Sequence, residues 1–475
     1  MKTKLSKFLK QTRPILKTLV KDLANEYRYV SLLGTDTIGS TFSVSRSGSS
    51  VGDSNWSEKG FVIRVYNGLN YSEYSFNILD DLEDIKNQVR TIAQFDLSTL
   101  KAANIKMIPF PLISEELLTK TFNSECEIDP FSISAEEKLK RMTELMQEGL
   151  KKSEYFVDFR VQYEEVKISK IFLSTKKDLS QSILYTNLSF VAIGRKDGEV
   201  KYDFLPMSGL KGYEIFEEAH SKIDLVANSV IELFSAKRVT PGLYEIICDP
   251  AVSGLIAHEA FGHGVEMDMF VKHRAKGEEY IGKVIASDKV NMRDGSLSAT
   301  EVGTYLFDDE GTLGTDTLII EASILKQGIS DLLSATILGT VPTGNGRRES
   351  FERKTYARMT NTFFESGSDT FEDMIGSIKN GYLLEGYFSG MEDPKNWGIQ
   401  CMIAKGKEII NGKLTGNIIS PVLLTGYVPD LLKSISMVSD KKIKLSGTGA
   451  CGKGYKELVK VSTGGTYLKT VGRLG

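Results

Sequence analysis

The chain has 475 residues, 41% of them hydrophobic and 25% charged, an ordinary globular composition long enough for two large domains. A formal charge of −3 without a basic stripe argues against a nucleic-acid partner. No stretch reaches the ~18 consecutive apolar residues of a membrane span, and Cys126, Cys248, Cys401 and Cys451 are too scattered for a disulfide framework.

At the N-terminus, Lys10, Gln11, Arg13, Lys17 and Lys21 interrupt every apolar run that a signal peptide would need. The segment is predicted to be a helix with its stripe on Leu5, Phe8, Leu9, Leu16, Leu19 and Val20, broken or restarted at Pro14. Such a basic helix is expected to cover the body of a cytoplasmic protein rather than lie on a membrane. Strands are predicted at 27–32, 41–46 and 60–66, the last turning at Asn67-Gly68 into a strand at 71–76. Helices follow over 77–95 and 135–152. The second opens with Ser134-Ala-Glu-Glu137, a capping box, and carries Leu139, Met142, Leu145, Met146 and Leu150 on one face. A polar, proline-bearing connection around 108–133 lies between them. Residues 155–173 read as paired strands, 188–194 as another strand, and 214–237 as a helix.

Pro241-Gly242 breaks the chain before a strand at 243–248. Beyond it the sequence is dense in glycine, with short apolar runs at 317–320, 400–403 and 418–424, and helical patterns only after 253 and about 369–379. The expected fold class is α+β, with a mixed α/β N-terminal domain over 1–238 and a β-rich C-terminal domain over 239–475.

Chemistry concentrates in SGLIAHEAFGHGVEMDMF, residues 253–270, where His258 and Glu259 are followed by His263. A zinc peptidase needs neutral imidazoles converging on the metal and a carboxylate beside the attacking water. In the familiar helical motif the histidines are four apart. Here they are five apart, a rotation of about 140° on an ideal helix, so convergence requires a bulge or a break, for which Gly262 and Gly264 offer backbone freedom. Two histidines leave a catalytic zinc one protein ligand short. Glu266 and Asp268 are local candidates, and Cys451, within GTGACGKGY, is a distant one. His220 and His273, among charged residues, read as surface positions. The glycine-rich strings 343–346 and 446–454 lack the Lys-Ser/Thr ending of a phosphate loop.

HEAFGHGVE resembles the signature of the TldD/PmbA family of metallopeptidases, in its metal-bearing TldD-type subunit. The similarity extends to DDEG at 308–311, LIIEASILKQGISD at 318–331, TGNGR at 343–347, Arg358-Met-Thr-Asn361 and the closing CGKG. Weaker likenesses at 60–76 and 155–162 bring it to nearly the whole chain, strongest from 240 to 455. The resemblance implies one Zn2+ per active subunit, held by His258, His263 and Cys451, with Glu259 as general base. It further implies hydrolysis of unfolded or extended peptides, in a homodimer or a heterodimer with a metal-less paralogue. After CGK the family usually continues with a glycine–glutamine pair, whereas Tyr455 and Lys456 follow Gly454 here. Arg358, Asn361 and Tyr455 remain candidates for substrate binding, and Glu266 and Asp268 for carboxylates supporting the zinc-bound imidazoles. A non-catalytic regulatory subunit is the alternative, because the family carries an association with modulation of DNA gyrase. A structural zinc would need four protein ligands.

Overall fold

The computed structural model describes residues 1–102, 109–454 and 457–475. Its first half is an eight-stranded sheet built on three long strands, Val30–Ser45, Phe156–Ser174 and Lys177–Lys196, paired antiparallel in that order. Glu58–Tyr66 and Gly48–Asp53 line the far side of the first, and Tyr71–Phe76 lies beyond Glu58–Tyr66. Leu118–Asn123 and Glu199–Gly209 flank Lys177–Lys196. The strands predicted at 27–32 and 41–46 are therefore parts of one, which begins only at Val30, and 155–173 is a single strand rather than a pair. Sequence patterning sees local alternation and cannot see that one strand runs across two cores.

Those cores are covered by different helices. Lys7–Leu23 buries Leu9, Leu16, Leu19, Val20 and Leu23 against Val30, Phe61 and Ile63. It runs unbroken through Pro14, contrary to the expected break. Pro14 is exposed, as is Lys10, so solvent can satisfy the carbonyl that the proline leaves without its helical donor. Leu82–Ala102 starts later than predicted because the Asp81 side chain accepts the Glu83 and Asp84 amides and sets the cap there. Ala135–Leu150 begins where the capping box placed it, with Ser134 accepting from the Glu137 amide. His220–Leu233, shorter than the predicted 214–237, is preceded by a 3-10 turn over Tyr213–Glu218. The connection around 108–133 contains a strand, Leu118–Asn123; residues 103–108 lie outside the described part. The Asn67-Gly68 turn is a four-residue loop, in which Asn67 accepts the Leu69 and Asn70 amides.

From Gly242 onward, five strands close into a ring: Asn380–Asp393, Gly242–Cys248, Leu468–Leu474, Val422–Tyr427 and Gly398–Ile410, the last pairing back to the first. A second sheet sets Met292–Asp294, Asn361–Phe364 and Ser462–Gly465 side by side. Two short helices, Leu332–Leu338 and Val428–Lys433, were not legible, since one or two turns leave no usable period. Cys126, Cys248 and Cys401 are buried and unpaired. Among the described residues no helix is long and apolar enough to cross a membrane.

The two halves are tied together through charge. Glu73, cross-strand partner of Arg64, accepts from Arg64 Nε at 2.6 Å and from Arg348 Nη1 at 2.9 Å, and Arg64 also pairs with Glu310. Burial alone would raise the Glu73 carboxyl, but the two guanidinium groups hold it far below the usual carboxylate range. Glu73→Gln leaves two buried arginines short of charge and is expected to cost about 3 kcal/mol, the low end for a broken buried pair because Glu73 is partly exposed. Because its folded pKa is depressed, Glu73 contributes fully above the ordinary carboxylate range and progressively less in acid. The gap between wild-type and variant urea midpoints should therefore narrow below about pH 4.5, and a gap independent of pH would remove the charge argument.

Candidate metal centre

The histidine segment is positioned from both ends. Asp249 ends the strand Gly242–Cys248, accepts the Val252 amide at 2.8 Å and caps the helix Pro250–Leu255, which has proline at its first position. Gly254 then lets this helix lie directly on the strand Ser462–Gly465, since a Cβ there would meet Gly464 Cα at 2.5 Å.

At Ile256 the helix widens into a π-turn over Ile256–Phe261, followed by a 3-10 turn over Gly262–Val265. A π-turn bonds residue i to i+5, and the Gly262 amide donates to Ala257 as well as to His258. That widening brings a five-residue spacing onto one side, so the His258 and His263 rings lie 5.2 Å apart. The expected bulge exists, but not through glycine flexibility. Gly262 keeps ordinary helical angles, and Phe261, at φ −130° and ψ −37°, absorbs the distortion. The glycines are needed for space. A Cβ on Gly262 would sit 2.2 Å from Met359 Sδ, and one on Gly264 would sit 2.4 Å from the buried Trp397 Nε1.

Cys451 reaches this turn from the strand Ala450–Lys453, with its Sγ 3.5 Å from His263 Nε2. One donor atom each from His258, His263 and Cys451 lies within 4.8 Å of the others. A tetrahedral zinc with ordinary Zn–S and Zn–N bonds sets sulfur and nitrogen about 3.6 Å apart, close to the spacing observed. The protonation pattern also fits a cation. Burial would raise the thiol and favour neutral imidazoles, yet His263 and His258 hold Cys451 well below its ordinary value, and the sulfur in turn raises both histidines. Thiolate and imidazole are the donors that suit zinc, and a metal takes the place of the ring protons. His258 Nδ1 is buried with no hydrogen-bond partner among the described residues, whereas His263 Nδ1 faces Glu266 Oε2 at 3.2 Å.

Of the two acidic candidates, Glu266 thus orients His263, while Asp268 touches neither histidine. Both hold Lys453, whose Nζ lies 3.0 Å from Glu266 and 2.7 Å from Asp268 and also donates to the Ala357 carbonyl. Burial pushes both carboxyls up; Lys453 and His263 nevertheless hold Glu266 at about 2, and Asp268 stays raised beside it. Lys453 was passed over in the sequence. The available signal was its place two residues after Cys451, which puts both side chains on one face of the strand.

Neither Arg358 nor Asn361 is open to solvent. Arg358 is fully buried and donates to the Cys451 and Glu457 carbonyls, so it anchors the cysteine strand. Asn361, equally buried, donates to the Gly295 carbonyl and accepts from Ser462. Tyr455 lies outside the described residues. His220 and His273 are exposed, each beside a glutamate.

Glu259 sits over the donor triad, with one oxygen 3.9 Å from His258 Nε2 and the other 3.9 Å from His263 Nε2. It opens into a cleft of about 500 Å³, also lined by Met269, Tyr356, Gly390 and Met391. A Cβ on Gly390 would approach Glu259 Cγ to 2.9 Å, so glycine there leaves the carboxylate room. Glu392 lines the same cleft and was not foreseen. Both its oxygens are buried without a partner among the described residues, and burial with the neighbouring Glu266 and Glu259 keeps it protonated well above the usual range.

Residues 241–470 match the PmbA/TldA metallopeptidase C-terminal domain. A metalloprotease of Methanocaldococcus jannaschii is 28% identical over 73% of this chain and 75% of its own length. A metalloprotease TldD homolog of Buchnera aphidicola is 33% identical over 46% of this chain and 45% of its own. A zinc metalloprotease TldD homolog of Saccharolobus solfataricus is 27% identical over 65% and 68%, respectively. The fold matches a Thermotoga maritima protein proposed as a modulator of a DNA gyrase, at TM-score 0.77 and 18% identity over 98% of this chain and all of that one. It also matches TldE from Thermococcus kodakarensis, at TM-score 0.73 and 17% identity over 97% and 99%.

Proposed function

The chain belongs to the TldD/PmbA family, and from that premise we propose that it is a zinc-dependent peptidase acting on unfolded or extended peptides. The observation that carries this reading is the meeting of Cys451 with His258 and His263 beneath an acid that is free to face a cleft. His258, His263 and Cys451 would hold the zinc, which would supply Lewis acidity toward the scissile carbonyl. Glu259 takes the proton of the attacking water and passes it to the departing amine. Glu266 keeps the His263 ring in place, and Lys453 fastens Glu266 to the cysteine strand.

Ring closure leaves a strand edge unpaired beside the cleft. Gly381–Leu384 pair with Glu245–Cys248, whereas residues 387–393 pair only with 398–403 among the described residues. That edge can take an extended peptide as an added strand, through backbone bonds that ask little of its sequence. The segment matched by the family domain begins at residue 241, which supports 239–475 as the metallopeptidase domain and 1–238 as a separate one. The same reading has the chain act in a dimer, as the metal-bearing partner of itself or of a metal-less relative such as the TldE whose fold it shares.

The test is an unstructured peptide mixture incubated with the purified protein, its products identified by mass. Chelation is expected to abolish cleavage and zinc to restore it. A protein that contains no stoichiometric zinc and cleaves nothing would leave the regulatory alternative standing.

A further inference from the structure

One group of side chains near the cleft is used by nothing described above. The strand Glu199–Gly209 is hydrogen-bonded only to Lys177–Lys196, so its other edge is unpaired among the described residues. Its odd positions turn inward: Asp203 accepts from Ser229, and Leu205 joins the core beneath His220–Leu233. The even positions turn out, leaving Tyr202 51% and Phe204 38% exposed. Their rings meet Phe388 of the other half, at centroid distances of 5.4 and 6.3 Å.

Phe388 is aimed there by a bulge. Tyr387 pairs with Ile403 and Ser389 with Met402, so Phe388 is the extra residue between them. Bulges beside active sites characteristically redirect one side chain. Two residues further along, roughly 7 Å on an extended strand, Gly390 lies against Glu259.

We propose that Tyr202, Phe204 and Phe388 form a subsite for an apolar side chain of the bound polypeptide, a few residues from the bond that is cut. This rests on the peptidase reading, because the occupant is identified by continuity. A peptide added along the edge of residues 387–393 to reach Glu259 carries its chain past Phe388 onto these rings. The exposed parts of three rings come to at most roughly 300 Å², well short of the ~800 Å² that each partner buries in a standard interface, so a second copy of the chain is the poorer occupant. Backbone pairing at the edge supplies affinity without selection, and the aromatic cluster adds a preference at one register.

The probe is a series of fluorescein-labelled glycine–serine peptides with one phenylalanine moved along the chain, beside an all-serine parent. Cleavage by the wild-type, zinc-loaded protein should show one register at which phenylalanine lowers KM roughly tenfold, a value typical of burying one such ring, with kcat little changed. In Tyr202→Ser/Phe204→Ser the ratio between that peptide and its parent should fall to near one, while Tyr202→Phe should preserve it. A ratio that survives the double substitution overturns the proposal, as does a gain that appears in kcat instead of KM. A shift of the double variant from dimer to monomer in sedimentation would reassign the rings to a second copy and likewise overturn it. If the wild type cleaves every peptide equally, only this inference fails; if it cleaves none, the peptidase reading falls with it.

Discussion

Glu259→Ala is expected to retain zinc and fold while losing peptide hydrolysis by about 10³-fold or more, within the range of general-base contributions. The carboxylate is partly exposed, lies 3.9 Å from the nearest donor nitrogens and stands outside the three-atom donor set. Its removal therefore orphans no buried partner and opens only space beside Gly390. The π-turn is held by Ala257 and His258 carbonyls and by packing on Met359 and Trp397, none of which needs the Glu259 side chain. Metal content by atomic absorption, the urea midpoint and turnover of an unstructured peptide are the three readouts. Undiminished cleavage with full metal would end the assignment of Glu259 as base.

Cys451→Ser should be the most damaging change to metal affinity. A hydroxyl is a far weaker zinc donor than a thiolate, and the two remaining imidazoles leave the ion under-coordinated. A fall of at least about 100-fold is expected, beyond the 10–100-fold typical of disturbing the groups that support a ligand. The substitution is clean, because Arg358 grips the backbone carbonyl of residue 451 and Lys453 grips Glu266 and Asp268. The strand stays in place while the sulfur goes. Competition against a chromophoric chelator measures the affinity, and an unaltered value would strike residue 451 from the ligand set.

Much of the candidate site was legible because its chemistry is rare in this chain. Only four histidines occur, and two of them flank Glu259 within six positions. The five-residue spacing correctly demanded a distortion, yet its nature was misread: sequence suggests freedom at Gly262 and Gly264, whereas the structure needs their lack of a side chain. The placement of Glu266 beside His263 was readable from proximity. That of Lys453 was only half legible, since its place two residues after Cys451 gives the shared face but not the two buried acids it meets there. Glu392 carried no signal at all, because its isolation is a property of its surroundings rather than its neighbours in sequence.

By itself the amino-acid order determined an ordinary globular composition, a capping box at Ser134, the break at Pro241-Gly242 and a local motif of two imidazoles and an acid, the last three set within a few residues by propensity and spacing. Tertiary structure decided whether that motif has a third donor. Cys451 is 188 positions from His263, and long-range contacts bring its sulfur to the histidines: Arg358 holds the Cys451 carbonyl, and the chain after it enters Ser462–Gly465, which pairs with Asn361–Phe364 and packs on Gly254. Local pattern reports what a segment can become, whereas a donor set depends on distances that long-range pairing alone sets.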